Sequence, residues 1–426
     1  MTYSEALAYI HSLEKFGINP GLERISDLCG LLGNPQDKLK YIHVAGTNGK
    51  GSTSTMISEI LQEAGLKTGL YTSPYVIDFC ERIQINSRMI SHDDIAAIIT
   101  EMEPIITGYA EKKTQPTEFE VITAAAFLYF SRKNCDIVVL ETGLGGRYDA
   151  TNIIKQPIAS VITSISLDHM ALLGDTIKKI TAEKCGIIKQ NTATVSYPEQ
   201  PAEAMDIIRE SARNKKNTLF VPSIKDIQIK DEKIEGTNVS INGLDIYVPF
   251  MGRHMVLNAA VAVTAAKVLA DNGLNISNEN IVQGIAKAKM PARMEIFGRK
   301  NLIIMDGGHN EGCAKALAEC IEKFLLGREI IAVCGMMADK DYNTYLKITA
   351  PYFKTLIAVK PVNQRSLDAE ILAEAAKKYC KDSYASVNSQ DAFQKAVKLT
   401  AGDGVIIICG SFYLASELRK TVLNNI

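Results

Sequence analysis

At 426 residues the chain is too long for one ordinary hydrophobic core, so two domains are expected. A formal net charge of -1 excludes the clustered basic excess of a nucleic-acid footprint. No apolar run is expected to reach a membrane span, and nine cysteines without framework spacing argue for thiols in a reducing, cytoplasmic setting rather than disulfides or zinc ligands.

The N-terminus, MTYSEALAYIHSLEKF, carries early acidic residues and helical periodicity, unlike a signal peptide. Strands are predicted at 41–45, 136–140, 158–163, 302–305, 330–333 and 405–409. Helical patterns at 119–130, 176–189, 256–270 and 314–324 alternate with them. That alternation predicts parallel sheets covered by helices, the doubly wound α/β class, with ligands beyond the C-terminal strand ends. Cys135, Cys334 and Cys409 fall in the strand-like runs and read as small buried hydrophobes. Residues 227–250 alternate polar and apolar with turn signals, which predicts antiparallel strands as an excursion within the first domain. The second domain is expected to begin near Phe297-Gly298-Arg299, dividing the chain into 1–297 and 298–426.

The most informative segment is Ile42-His43-Val44-Ala45-Gly46-Thr47-Asn48-Gly49-Lys50-Gly51-Ser52. A strand-like run ends in a glycine turn, and a helical pattern follows a lysine and a hydroxyl. Small residues let backbone N–H groups converge on phosphate oxygens, the helix start adds partial positive charge, and Lys50 adds a mobile cation. Val44 stands where the usual phosphate loop has its first glycine, and Gly51 separates Lys50 from Ser52. The flanking strand and helix still favour nucleotide binding over a plain tight turn.

Other loops repeat the theme. Glu141 ends a buried-looking strand before Thr142-Gly143-Leu144-Gly145-Gly146, and reads equally as a magnesium ligand or as a cap of the glycine turn. His169 follows the 158–163 strand and reads as structural or as a ligand. Glu183-Lys184 on a helix reads by itself as a solvated face. Arg293, near the expected boundary, suits either a phosphate clamp or a surface ion pair. Asp306-Gly307-Gly308-His309-Asn310 again places a carboxylate after a strand.

Together, IHVAGTNGKGS, YTSPY, ETGLGGRYDATN, EKCGIIK, PARME, DGGHN, GMMADKD and CGSFYL, with the N-terminal segment from Phe16 to Ile25, resemble the folylpolyglutamate synthase and dihydrofolate synthase family, relatives of the Mur cell-wall ligases. The resemblance spans essentially the whole chain. It implies an N-terminal Mur-ligase-like P-loop ATPase domain and a smaller Rossmann-like C-terminal domain. It further implies that Gly49, Lys50, Gly51 and Ser52 hold the ATP phosphates, and that Ser73 and Glu141 bind one Mg2+. His169 would bind a second Mg2+, and a carbamylated Lys184 would be a further magnesium ligand. Asn258, Arg293 and Asp306 would contact nucleotide. Thr117, Glu118, Phe119, Glu120, Tyr148, Asp149 and Ala150 would meet the pterin-bearing substrate, with His309 and Ser411 near the incoming glutamate. Lys50, Glu141, His169, Lys184 and His309 form the implied catalytic set.

Tyr75, Met255, Ala292, Gly308 and Glu311 depart from the family pattern, and none removes a phosphate or metal ligand. The implied reaction joins L-glutamate to dihydropteroate or tetrahydrofolate with ATP, in a cytoplasmic monomer whose domains close on their ligands. Folylpolyglutamate synthase activity alone, a Mur-type amino-acid ligase, and a nucleotide-binding regulator without catalysis are the competing readings. The Gly49-Lys50-Gly51-Ser52 spacing and the Phe16–Ile25 segment favour the folate branch.

Overall fold

A computed structural model describes residues 1–13, 17, 20–111, 114–298 and 302–424. Phe16, Ile18 and Asn19 of the N-terminal motif, and Arg299 at the expected boundary, lie outside the described residues. The chain forms two compact units. One comprises Met1–Gln228, Val239–Tyr247 and Leu257–Ala288; the other comprises Ile229–Asn238, Val248–Val256 and Lys289–Ile426.

The first unit is built on eight strands: β1 (Tyr41–Ala45), β2 (Thr68–Tyr71), β3 (Ile83–Ile85), β4 (Arg88–Met89), β5 (Ile137–Glu141), β6 (Ala159–Ile162), β7 (Ala193–Ser196) and β8 (Thr218–Phe220). Their order is β4-β3-β2-β5-β1-β6-β7-β8. β1 lies parallel between β5 and β6, with Val44 opposite both Glu141 and Val161. All five residues of β1 and of β5 are buried, as expected for strands covered on both faces. One face packs Tyr41, Tyr71, Val138 and Leu140 against Phe127 and Phe130 of helix Glu118–Arg132. β3 and β4 are antiparallel additions at one edge. Their short, partly exposed sequences lack the apolar run that reveals the inner strands, and they escape the sequence reading.

Helix Lys50–Glu63 follows the glycine turn, and helix Asn278–Lys287 lies hard against it. A Cβ on Gly284 would come within 2.5 Å of the Ile60 backbone, so only glycine permits this approach. Asn280 Nδ2 donates to the Glu63 carbonyl at 2.8 Å, and Lys287 pairs with the Glu63 carboxylate at 2.7 Å.

The expected excursion is a three-stranded sheet of β9 (Ile227–Lys233), β10 (Gly236–Ile241) and β11 (Leu244–Val248), with β10 central. Its residues divide between the two units rather than belonging wholly to the first.

The second unit carries β12 (Glu295–Phe297), β13 (Leu302–Asp306), β14 (Ile330–Cys334), β15 (Thr355–Ala358), β16 (Ser383–Ala385) and β17 (Val405–Cys409), in the order β12-β13-β17-β14-β15-β16. Only β12 is antiparallel among the described pairings of this sheet. Because β12 pairs with β13, residues 289–297 group with this unit, although the sequence reading placed them in the first domain. Cys334 and Cys409 lie in strands as expected, Cys135 sits just before β5, and all nine cysteines are free thiols.

Contrary to the sequence expectation, helix Arg253–Asp271 is long and apolar enough to cross a membrane by length and composition. Its most apolar window is 72% buried inside the protein, as in a core helix.

Candidate active site

The adjacency of β1, β5 and β6 brings three loops together at their C-terminal ends. Backbone N–H groups of Thr47 and Asn48 donate to the Ser164 carbonyl at 2.8 and 3.2 Å. The Thr47 hydroxyl donates to the Ser166 carbonyl (3.0 Å) and accepts from the Ser166 N–H (3.1 Å). Asn48 Nδ2 reaches Ser166 Oγ at 3.2 Å. The loop after β6 therefore braces the glycine turn. Gly49 has φ +81°, and a Cβ there would strike the Asn258 amide at 2.5 Å. Asn258 is buried directly against the turn, where the sequence placed a nucleotide contact. Lys50 and Ser52 open the helix, and Lys50 Nζ rests on the Thr47 carbonyl at 3.3 Å.

Glu141 closes β5 and is 1% exposed. Its Oε2 accepts from the Ser73 backbone N–H at 3.3 Å, and a Cβ on Gly51 would stand 3.5 Å from the same oxygen. Glu141, Ser73 and the start of the phosphate-loop helix thus converge. A buried carboxylate at such a point, with the buried Ser52 hydroxyl at the helix start, fits a hard divalent cation.

Lys184, read locally as a solvated residue, is 4% exposed. It is the last residue of helix Ile177–Lys184, and its Nζ donates to the Gly46 carbonyl at 2.7 Å. Burial, and then the neighbouring Lys50 charge, pull its ammonium down to about 7, against the opposing pull of Asp168 and Asp149. As a lysine it donates and cannot bind a cation. A pKa near 7 keeps much of the amine neutral.

His169 begins a short helix with left-handed backbone, φ 50°. Its Nε2 lies 3.9 Å from the Asp168 carboxylate, and its side chain is over one-third exposed.

The expected substrate segments meet one another. Thr117 and Glu120 form a reciprocal capping box on helix Glu118–Arg132, a structural use of the T-x-x-E spacing. Arg24 binds the Glu120 carboxylate through two nitrogens, at 3.0 and 3.1 Å. The sequence reading left Arg24 unassigned, although it lies inside the N-terminal motif. Glu118 pairs with His11 at 3.3 Å. Phe119 packs on Gly143, where a Cβ would come within 2.5 Å of its ring. This places the 117–120 segment on the 141–152 loop.

Within that loop, Asp149 accepts from the Leu144 N–H (2.8 Å), the Thr151 N–H (3.0 Å) and the Thr151 hydroxyl (2.6 Å). Burial pushes the Asp149 carboxyl up, against these hydrogen bonds. The Thr151 hydroxyl also lies 2.8 Å from Nε2 of His43, a fully buried residue of β1. With the hydroxyl proton committed to Asp149, Thr151 accepts from His43 Nε2–H. His43 Nδ1 is then a bare acceptor, consistent with its lack of a hydrogen-bond partner. Burial, with Lys189 nearby, lowers His43 to about 3, so its ring is neutral. Ala150 is buried beside Asp149, whereas Tyr148 is 53% exposed.

In the second unit, Asp306 ends β13 and accepts from the backbone N–H groups of Met294 (3.3 Å) and Gly308 (3.1 Å). Burial raises its carboxyl, with Arg293 the first opposing influence. The Arg293 guanidinium stacks 4.2 Å from the Phe412 ring. Charge interactions link Asp306 to both Arg293 and His309. Ser411 is buried, and its hydroxyl accepts from the Leu414 N–H at 3.1 Å, which caps helix Phe412–Asn424. This gives Ser411 a structural task beside its expected role near glutamate.

The Mur ligase middle domain matches residues 44–266, and the Mur ligase, glutamate ligase domain matches 292–412. The chain is 36% identical to the dihydrofolate synthase/folylpolyglutamate synthase of Bacillus subtilis, over 98% of each protein. Folylpolyglutamate synthase of Mycobacterium tuberculosis, solved with ADP and AMPPCP, superposes with TM-score 0.89 at 30% identity, over 98% of both chains. E. coli FolC in complex with DHPP and ADP gives TM-score 0.87 at 28% identity, over 100% of this chain and 98% of that one. With both Mur ligase domains matched and relatives that align over the full length, the chain belongs to the dihydrofolate synthase/folylpolyglutamate synthase family of ATP-dependent Mur-type ligases.

Proposed function

We propose that this protein adds L-glutamate both to 7,8-dihydropteroate and to tetrahydrofolate, as a cytoplasmic monomer. The observation that carries the reading is the convergence of the β1, β5 and β6 loops on one glycine turn, with Phe119 joining the substrate segments to the β5 loop. In the first step, a carboxylate oxygen of the pterin substrate attacks the γ-phosphorus of ATP, and ADP departs. The acyl phosphate so formed has a leaving group that a carboxylate lacks. The amine of glutamate then attacks the acyl carbon, gives up a proton and expels inorganic phosphate.

The turn amides and Lys50 bear the phosphate charge, and the ordered turn holds the reacting groups in line. Ser73 and Glu141 would hold one Mg2+ and His169 a second, with carbamylated Lys184 as a further magnesium ligand. When bound they neutralise phosphate charge. Asn258, Arg293 and Asp306 would contact the nucleotide, and His309 and Ser411 the incoming glutamate. Nine free thiols suit a reducing compartment.

The test is glutamate incorporation by the purified protein, with ATP and either dihydropteroate or tetrahydrofolate at matched concentrations, read by mass spectrometry. Turnover of both is expected. Turnover of the folate alone reduces the activity to folylpolyglutamate synthase, and turnover of neither overturns the reading.

A further inference from the structure

Away from the glycine turn, three side chains of different chemistry face one another. Asp78 precedes the short helical turn Phe79–Arg82, Cys80 lies within it, and His92 opens helix His92–Ala110. One ligand atom from each residue lies within 4.8 Å of the other two. Asp78 Oδ2 stands 2.8 Å from His92 Nε2. Asp78 Oδ1 accepts from the Cys80 N–H at 2.8 Å and faces the Tyr3 hydroxyl at 3.3 Å. Cys80 Sγ lies 3.9 Å from that hydroxyl, and the Tyr3 ring stacks on His92 at 3.8 Å.

Capping explains only part of this. The turn needs one Asp78 oxygen on the Cys80 N–H, whereas the imidazole and the thiol both turn toward the same carboxylate without serving the cap. We propose that Asp78, Cys80 and His92 form a binding site for Zn2+, separate from the proposed magnesium ligands. A thiol, an imidazole and a carboxylate are the donor set of a borderline-soft cation, whereas magnesium and calcium prefer oxygen alone. Donors on one tetrahedral ion lie roughly 3.3–3.8 Å apart. The ligand atoms of the trio lie within 4.8 Å of one another, a little beyond that spacing, and the half-exposed His92 gives a path from solvent. A free cysteine is a protonated thiol at neutral pH, with an ordinary pKa of about 8.5. Binding forms the Sγ–Zn bond and releases that proton to solvent, and nothing is oxidised or reduced.

Cobalt is the probe. Full-length protein stripped with chelator and titrated with Co2+ should show a near-ultraviolet thiolate-to-cobalt band and intense tetrahedral visible bands. Both should saturate at one equivalent and be displaced by Zn2+. Calorimetry of Zn2+ binding in two buffers should show proton release near one per ion. Cys80→Ser should abolish the thiolate band, and His92→Ala should weaken Zn2+ affinity on the order of tenfold or more. Both variants should keep Mg2+-dependent ligase activity, which certifies their fold. Co2+ at oxygen-rich magnesium ligands gives weak octahedral spectra without a thiolate band. A folded wild-type protein with no thiolate band overturns the proposal, as does a band that survives in Cys80→Ser.

Discussion

Lys184 Nζ and the Gly46 carbonyl, 138 positions apart in sequence, are joined by a 2.7 Å hydrogen bond that ties the end of a helix to the first residue of the glycine turn. As an amine, Lys184 holds the turn; as a carbamate it would present oxygen toward the nucleotide side. Lys184→Ala is expected to lower kcat on the order of a hundredfold, with partial recovery when a short carboxylic acid such as acetate is supplied. Lys184→Arg should show no recovery, because a guanidinium does not take up CO2. Protein equilibrated with 13C-bicarbonate should give a carbamate carbon resonance that Lys184→Ala lacks. An unchanged kcat in the alanine variant would refute the assignment.

Glu141→Gln keeps the shape of the side chain and removes its charge beside Gly51 and Ser73. The expected result is a fall in kcat on the order of a hundredfold, with a higher Mg2+ requirement and little change in KM for the pterin substrate. A magnesium titration of initial rates checks it.

The Asp149–Thr151–His43 chain fixes the loop proposed to meet the pterin. Thr151→Val keeps the volume but removes the hydroxyl that donates to Asp149 and accepts from His43, leaving two buried groups short of a partner. KM for the pterin substrate should rise severalfold while KM for ATP stays near wild type, and Thr151→Ser should behave like wild type. Equal rises in both KM values would instead mean general loosening of the unit.

His43 also makes stability depend on pH. Its folded pKa of about 3 lies below the ordinary 6.5, so in acid the unfolded chain binds a proton that the folded chain refuses. Stability is therefore present above 6.5 and is lost as pH falls toward 3. Between about pH 6 and about pH 4 the contribution is about 2 kcal/mol. Urea unfolding of the first unit in wild type and His43→Gln at both pH values should show a shallower acid loss in the variant. Parallel losses would rule out a neutral buried His43.

Gly284→Ala places a methyl group against the Ile60 backbone, which cannot turn aside as a side chain can. About 1–3 kcal/mol of destabilisation is expected, visible as a lower Tm, with nucleotide affinity reduced if the phosphate-loop helix shifts.

β1, β5, β6, β13, β14 and β17 were legible because burial on both faces writes a continuous apolar run. The equally buried inner strands β2, β7 and β15 were missed, their four-residue runs being short and broken by threonine, serine or glycine. β1 and β17 match the sequence reading at both ends, whereas the short β3 and the edge strands β4, β8, β12 and β16 do not announce themselves. The loops carrying Lys50, Glu141 and His169 were legible as glycine-rich or polar breaks after those runs. Lys184 was not, because its neighbours in Ile177–Lys184 are charged and only a distant carbonyl explains its burial. The same holds for Arg24, whose partner Glu120 lies 96 positions away, and for His43, which looks like an intrusion in an apolar strand until Thr151 supplies its partner.

The near contact of Gly284 with Ile60 has a consequence for how nucleotide is received. Two helices seated backbone to backbone cannot slide or tilt without breaking that fit, so the glycine turn springs from a fixed base. The turn is braced before any phosphate arrives, and the ordering cost is incurred during folding rather than at each turnover. Nucleotide should consequently enter a ready-made cradle, leaving the adaptability needed for acceptors of unequal length to the loops rather than to the phosphate grip.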